Sequence, residues 1–219
     1  NQGPEVTFSA TPPDDGARCE PMSVGIHACR RGNVGVGDSV LVTGAGPIGD
    51  AVVTAARAAG ATDVTVLDVV DAKLSRVAER GATRTLRGDA VDVPAAVRAT
   101  LGADTGPRPG AGDGPAAGVD VAVEASGSEA GLADALASVR RGGTVVLVGL
   151  PEARAAPVDV DRLVDGELDV RGSFRYRDTY GTAVDLLRGV RADPAATVDA
   201  EFGLDGFGRR SSAQATRRP

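Results

Sequence analysis

With 24 basic against 30 acidic residues among 219, the chain carries a formal net charge of −6. Such a balance gives no electrostatic reason to hold nucleic acid, whose phosphates reward basic surfaces. At 42% hydrophobic and 25% charged residues, wholesale disorder is excluded, and one domain of ordinary size with part of a second is the expected scale. Aromatic residues make up only 3%, so the core must be built from Val, Leu, Ile and Ala, as in a buried parallel sheet. The sequence offers no signal peptide and no apolar run of about 18 residues, which predicts no membrane span and a cytoplasmic location. Cys19 and Cys29 read as buried small residues rather than a disulfide. The chain starts at Asn1 rather than Met, which predicts that something upstream is missing.

Residues 1–18 are polar, rich in Pro and Asp, and read as loop. A short helix is predicted over 20–31, where Met22, Ile26 and Cys29 share a face, Pro21 suits the first turn and Gly32 can end it. Residues 39–43 form a short apolar run and predict a strand. Gly44-Ala45-Gly46-Pro47-Ile48-Gly49 follows, then a helical face of Ile48, Ala51, Val52, Ala55, Ala56 and Ala59. A second apolar run over 64–67 ends in Asp68. Strand, glycine turn, helix and strand within about 30 residues make a βαβ unit.

The alternation continues with a helix over 72–80, a weak strand over 83–86 and a short helix over 93–101. A Gly- and Pro-rich loop over 102–118 is followed by a strand over 119–123, a helix over 129–139 and a strand over 144–148. A strand near 168–174 and a helix near 182–187 complete the pattern. Apolar strands alternating with helices predict a parallel sheet covered on both faces. Residues 208–219 carry four Arg and no apolar periodicity, and read as a disordered tail or a damaged reading frame.

A G-x-G-x-x-G turn alone is a weak signal, and a tight turn that binds nothing is its plain alternative. Here a strand precedes it, a helix follows, the βαβ length fits, and an acid stands 19 residues beyond the last glycine. Gly44 lets the chain turn sharply, Gly46 lets the backbone approach a pyrophosphate, and Gly49 lets the helix sit close on the sheet. The helix N-terminus offers unpaired N–H groups and partial positive charge to phosphates. The expected fold is therefore α/β, a Rossmann-type doubly wound parallel sheet that binds a dinucleotide. Asp68 selects which one. Its carboxylate can accept bonds from both ribose hydroxyls and would repel a 2′-phosphate, and Val69, Val70 and Asp71 follow rather than an arginine. NAD is the expected cofactor.

The plainer reading of Asp68 is a cap for the helix that starts near Ala72. Lys73, the single lysine, could reach the adenosine ribose or lie on a solvated helix face. Asp50 lies in the first helical turn at about 200° from Ile48, which predicts a solvated side chain. His27, the single histidine, reads as a helix residue packed at a domain boundary rather than a catalytic group. Cys19, Glu20, His27 and Cys29 do not match a structural zinc spacing.

Five stretches carry a family likeness: EPMSVGIHACRRGNVGVGDSVLVTGAGPIG (20–49), TVLDVVDAKLSRVAERGA (65–82), VDVAVEASG (119–127), RRGGTVVLVGL (140–150) and LDVRGSFRY (168–176). Together they resemble the zinc-dependent medium-chain dehydrogenases. The first and last are similar to the sorbitol/polyol dehydrogenase branch, and the others are shared across the family. The resemblance implies that zinc polarises a substrate hydroxyl while hydride passes to a nicotinamide. It implies cofactor contacts at Ile48, Asp68 and Lys73, at Val148, Gly149 and Leu150, and at Ser173, Phe174 and Arg175. It implies a catalytic role for Glu20, facing zinc-bound water and substrate, and a substrate-side place for Arg175 and Tyr176.

The sequence departs from the family in lacking the N-terminal catalytic lobe with its zinc ligands and any cysteine set for a structural zinc. The family pattern is also lost after Gly203. The expected division is a segment leading from the missing lobe (1–31), the NAD-binding domain (32–180) and a partial return segment with an irregular basic tail (181–219), so that remnants of a second, catalytic domain stand at both ends. No metal ligand is assigned to these residues, and zinc is expected only in the complete enzyme. The chain alone is expected to bind NAD without turning over its small alcohol or polyol substrate. Two other readings stay open. One is a non-catalytic NAD/NADH-sensing module, which would have no use for Glu20, Arg175 and Tyr176. The other is an inactive gene fragment. A homo-oligomer joined through strand edges also stays open.

Overall fold

A computed structural model describes residues 13–101, 118–153 and 155–189. The first half holds α1 (Pro13–Gly32), β1 (Ser39–Thr43), α2 (Pro47–Ala59), β2 (Asp63–Asp68), α3 (Asp71–Glu79), β3 (Arg84–Arg87) and α4 (Val93–Leu101). The second holds β4 (Val119–Glu124), α5 (Glu129–Ser138), β5 (Val139–Leu147), α6 (Val160–Asp165), β6 (Asp169–Gly172) and α7 (Tyr180–Gly189). The described strands make one six-stranded sheet in the order β3-β2-β1-β4-β5-β6, and every pairing is parallel. This is the doubly wound α/β architecture expected from the alternating pattern.

Because successive strand side chains point to opposite faces, each inner strand feeds two cores. In β1, Val40 and Val42 join one cluster and Leu41 the other. The first cluster packs α1, α2, α3 and α7 on one face, through Met22, Val52, Val77 and Val184 among others. The second packs α4 and α5 on the opposite face, through Val97 and Leu136. Strands buried on both sides are why these segments read as apolar runs rather than alternating ones.

At the N-terminal edge of the sheet one carboxylate ties three strands. Asp120 Oδ2 accepts from the Ser39 backbone N–H and hydroxyl, both at 2.8 Å, and its Oδ1 accepts from Arg140 Nε at 2.8 Å. Cys19 and Cys29 are buried and not joined in a disulfide, and burial pushes the Cys29 thiol up to about 12, which makes it inert. Among the described residues no helix is long and apolar enough to cross a membrane.

Three elements differ from the expected pattern. Helix α1 begins at Pro13, within the stretch read as loop, and Pro21 lies inside it rather than at its start. Strand β5 starts at Val139, five residues early, because a register shift between Val119 and Val121 lets the Gly142-Gly143 turn stay inside the strand. Helix α6 was not expected because it buries none of its residues and so has no apolar period. Its start is set by Asp159, whose side chain accepts from Arg162 N. The loop expected over 102–118 and the tail over 208–219 lie outside the described residues, save Gly118.

Leu41 is fully buried and Val36 is 91% exposed. Leu41→Ala is expected to lower unfolding free energy by about 2–5 kcal/mol, and Val36→Ala to change it by less than about 0.5 kcal/mol, in urea denaturation followed by circular dichroism.

Candidate functional site

All strands being parallel, their C-terminal ends share one edge, and the order reverses between β1 and β4. Loops leaving in opposite directions there open a crevice, the usual ligand position in such sheets. A cleft of about 520 Å³ occupies it. Gly44, Gly46, Asp68 and Lys73 line it from the first half of the chain, and Ser126 and Gly131 from the second.

The glycine turn is built by close approach. Gly44 has φ +94°, and a Cβ on it would sit 2.9 Å from the Ser126 backbone. Its N–H donates to Leu67 O at 2.7 Å. A Cβ on Gly49 would run into the Gly44 carbonyl. Gly46, the N-cap of α2, is different: nothing lies within 4 Å of where its Cβ would be. Its open face lines the cleft, beside the first-turn N–H groups of α2 that have no acceptor within the helix.

Asp68 ends β2 with its carboxylate at the mouth of the cleft. Oδ2 accepts from Ala45 N at 2.8 Å, and Oδ1 from Val70 N at 3.0 Å. Lys73 Nζ stands 3.6 Å from Oδ2. The N-cap of α3 is Val70, with no side-chain cap bond. Asp68 therefore secures the loops on either side of it rather than capping α3, and keeps acceptor capacity toward the cleft.

Sequence reasoning missed the opposite wall. Glu124, buried at the end of β4, accepts through Oε1 from Ser126 N at 2.7 Å, Ser126 Oγ at 2.6 Å and Gly127 N at 2.8 Å. Ser128 caps α5 by accepting from Gly131 N at 3.0 Å. Asp89 and Asp134 add two carboxylates to the lining, and burial, then Asp92, raises the Asp134 carboxyl above its ordinary value. The available signal was the stretch 119–127, whose acid closes a strand just as Asp68 does.

The other expected residues form two groups. Ile48 and Val148 are half-buried against the core, and Gly49 is buried, so none of the three lines the cleft. Val148, Gly149 and Leu150 follow β5, and Ser173, Phe174 and Arg175 follow β6, at the same edge as the cleft. Ser173 N donates to Leu147 O at 2.8 Å, and Val148 N and Gly149 N both donate to Glu124 O at 2.9 Å. Leu150 and Phe174 are exposed, and the Arg175 guanidinium lies 5.2 Å from the Phe174 ring centre. Tyr176 packs on Tyr180 at 5.6 Å. Glu20 is exposed on α1. Burial, then the neighbouring Cys19, Tyr176 and Glu20, push the Tyr180 phenol up.

His27 is half-buried on α1, and burial, then Arg31, Arg177 and Arg30, lower its pKa. Asp50 corrects the expectation of a solvated side chain: it is 5% exposed. Every residue from Gly49 to Ala56 is buried, because α1 covers the face of α2 that turns away from the sheet. Asp50 Oδ1 has no hydrogen bond, and Arg80 Nε stands 3.8 Å from it. Burial raises its carboxyl pKa, and Arg80, Arg18 and Arg76 oppose that rise.

The family model for zinc-binding dehydrogenases matches residues 47–189. The chain belongs to that family. It is similar to the sorbitol dehydrogenase of Bacillus subtilis (strain 168), with 34% identity over 94% of this chain and 62% of that one. Among solved structures, L-idonate 5-dehydrogenase from Escherichia coli K-12 superposes with a TM-score of 0.79 at 27% identity, over 95% of this chain and 56% of that one. The 2R,3R-butanediol dehydrogenase of Bacillus subtilis gives 0.77 at 28%, over 93% and 55%. The chain thus spans about three fifths of the length of the curated sorbitol dehydrogenases it matches. The family implies zinc, yet among the described residues no three His, Cys, Asp or Glu side chains gather where they could hold a metal.

Asp50 supplies a test of the buried face. A carboxyl raised from 3.8 in the folded state binds its proton more tightly there than in the unfolded chain, so stability falls as pH rises above 3.8 toward the folded value. Asp50→Asn should therefore stabilise the protein most at neutral pH, relative to its effect at pH 3.5. Equal effects at both pH values in urea denaturation would contradict the assignment.

Proposed function

We propose that this chain is the NAD-binding domain of an oxidoreductase that transfers hydride from a polyol or secondary alcohol to NAD, with zinc assisting in the complete enzyme. The observation that carries this reading is the Asp68 carboxylate. It lines a cleft of about 520 Å³ and is tied to the glycine turn through Ala45 N, and a carboxylate that accepts one bond on each oxygen has further acceptor capacity. An adenosine ribose fits those acceptors, with Lys73 beside it. The open face of Gly46 admits a pyrophosphate, and the first turn of α2 supplies N–H donors to it.

Val148, Gly149, Leu150, Ser173, Phe174 and Arg175 then flank the nicotinamide end, where the bound ring supplies the hydride acceptor. Glu20, Arg175 and Tyr176 take the substrate side, with Glu20 in the catalytic role. Ile48 and Gly49 act from beneath, by setting α2 against the turn. No step is assigned to zinc from these residues, since none of the described ones gathers into its ligand set. Residues 32–180 make up the cofactor domain, with 1–31 and 181–219 as its connections to a catalytic lobe. Two buried cysteines outside any disulfide fit a reducing, cytoplasmic compartment. The open edge of β6 fits pairing between copies.

The purified chain should bind NADH with a rise in nicotinamide fluorescence, and NADPH far more weakly. Asp68→Ala should weaken NADH binding by roughly 10-fold or more, the effect of one hydrogen bond to a charged group. Equal binding of the two nucleotides, or of neither, would overturn the reading.

A further inference from the structure

Beside Asp68 in the sheet stands Arg87, its register partner at the end of β3. Gly88 N donates to Asp68 O at 3.2 Å, which keeps the two strand ends together as they leave the sheet. The Arg87 guanidinium is held on two sides. Nε and one terminal nitrogen grip the two oxygens of Asp89 at 2.8 and 3.1 Å. The other terminal nitrogen reaches Asp71 Oδ2 at 2.8 Å, across the mouth of the β2–α3 loop. Asp71 is the first residue of α3, just past Val69 and Val70 in the loop that leaves Asp68. Asp89 itself lines the cleft.

We propose that Arg87 is a latent receptor for the 2′-phosphate of NADP, and that Asp71 and Asp89 keep it occupied, making them a second determinant of cofactor choice beside Asp68. The inference rests on the dinucleotide reading of the cleft. An arginine fork is well matched to a phosphate and to a carboxylate, so whichever anion is already there excludes the other. Arg87 donates on both sides to carboxylates, and Asp89 takes its fork in the bidentate way a phosphate would. The hydrogen bonds to Asp89 and then to Asp71 hold the Arg87 pKa above its ordinary value, and the same contact lowers that of Asp89.

Local charge points the same way. Asp68, Asp71 and Asp89 face Lys73 and Arg87, which leaves the rim net negative. Removing Asp68 alone takes away repulsion and releases Lys73, but the bidentate fork of Arg87 stays engaged by Asp71 and Asp89. Arg87 is open to solvent next to Gly88 and Asp89, which line the cleft, with 43% of its side chain exposed. The Asp71 and Asp89 side chains are 75% and 48% exposed, so changing them leaves the core intact.

The test is a set of fluorescence titrations with NADH and NADPH, on the unmodified chain, Asp68→Ser, Asp71→Asn/Asp89→Asn, the triple variant, and the triple variant with Arg87→Ala. Asp68→Ser alone should weaken NADH binding and leave NADPH weak. The triple variant should bind NADPH roughly 10-fold more tightly than Asp68→Ser does, and Arg87→Ala should remove that gain. If Asp68→Ser disturbs the glycine turn and the triple variant melts early, Asp71→Asn/Asp89→Asn decides: its ratio of NADPH to NADH affinity should rise above that of the unmodified chain, and an unchanged ratio overturns the proposal. A folded triple variant with no NADPH gain, or a gain that survives Arg87→Ala, overturns the proposal. Failure of the unmodified chain to bind NADH overturns the cofactor reading and this one with it, and is visible before any substitution is made.

Discussion

Two hydrogen bonds join the turn after β1 to the end of β2: Gly44 N to Leu67 O at 2.7 Å, and Ala45 N to the Asp68 carboxylate at 2.8 Å. The rest of the cleft depends on them. They hold the turn low enough for α2 to start directly over the sheet edge. That position needs Gly44 in a left-handed conformation and leaves no room for a side chain at Gly49. With α2 set there, its first turn faces the crevice and its opposite side is left for α1 to cover.

The second half of the sheet repeats the device with a different balance. Glu124 closes β4 as Asp68 closes β2, and gathers the Ser126 and Gly127 N–H groups into the loop that leads to α5. Glu124 is buried, and its Oε1 is committed to that loop, whereas Asp68 retains access to the cleft. One strand-end carboxylate therefore shapes its own loop, and the other joins the turn after β1 to the loop before α3. Buried carboxylates are tolerable only when their acceptors are filled in this way. Asp50, whose Oδ1 is not, is the contrast within the same fold.

A second set of contacts aligns α1 with the chain after β6. Arg30 donates to Asp178 O at 3.1 Å and Thr182 Oγ1 at 3.3 Å, and Arg31 to Gly172 O at 3.0 Å. Arg171 donates back to Arg31 O at 3.0 Å, and the buried Thr179 hydroxyl to Ser23 O at 2.9 Å. These bonds pin the chain from Gly172 to Thr182 along α1. Glu20 and Tyr176 thereby belong to neighbouring elements although more than 150 residues separate them in sequence.

Much of this was legible in the residues themselves. Apolar runs over 39–43 and 64–67 flank a glycine turn, and runs buried on both faces look the same wherever they occur, so β1, β2 and β4 stood out. Gly44 and Gly49 were legible because a backbone that packs this closely on a neighbouring segment or carbonyl excludes a Cβ, and that exclusion is local. Helix α6 and the early start of β5 were not legible, since one has no buried face and the other is set by its register against β4. The fate of Asp50 was decided by α1 packing on α2, a contact between segments whose own periodicities say nothing of each other. Glu124, Asp89 and Arg87 likewise gained their places only when β3 and β4 came to flank β2 and β1. Sequence by itself determined the elements and the turn, which rest on short-range steric rules. Tertiary structure alone decided which charges are buried, paired or left facing the cleft, because desolvation and ion pairing depend on distances that only the packed chain defines.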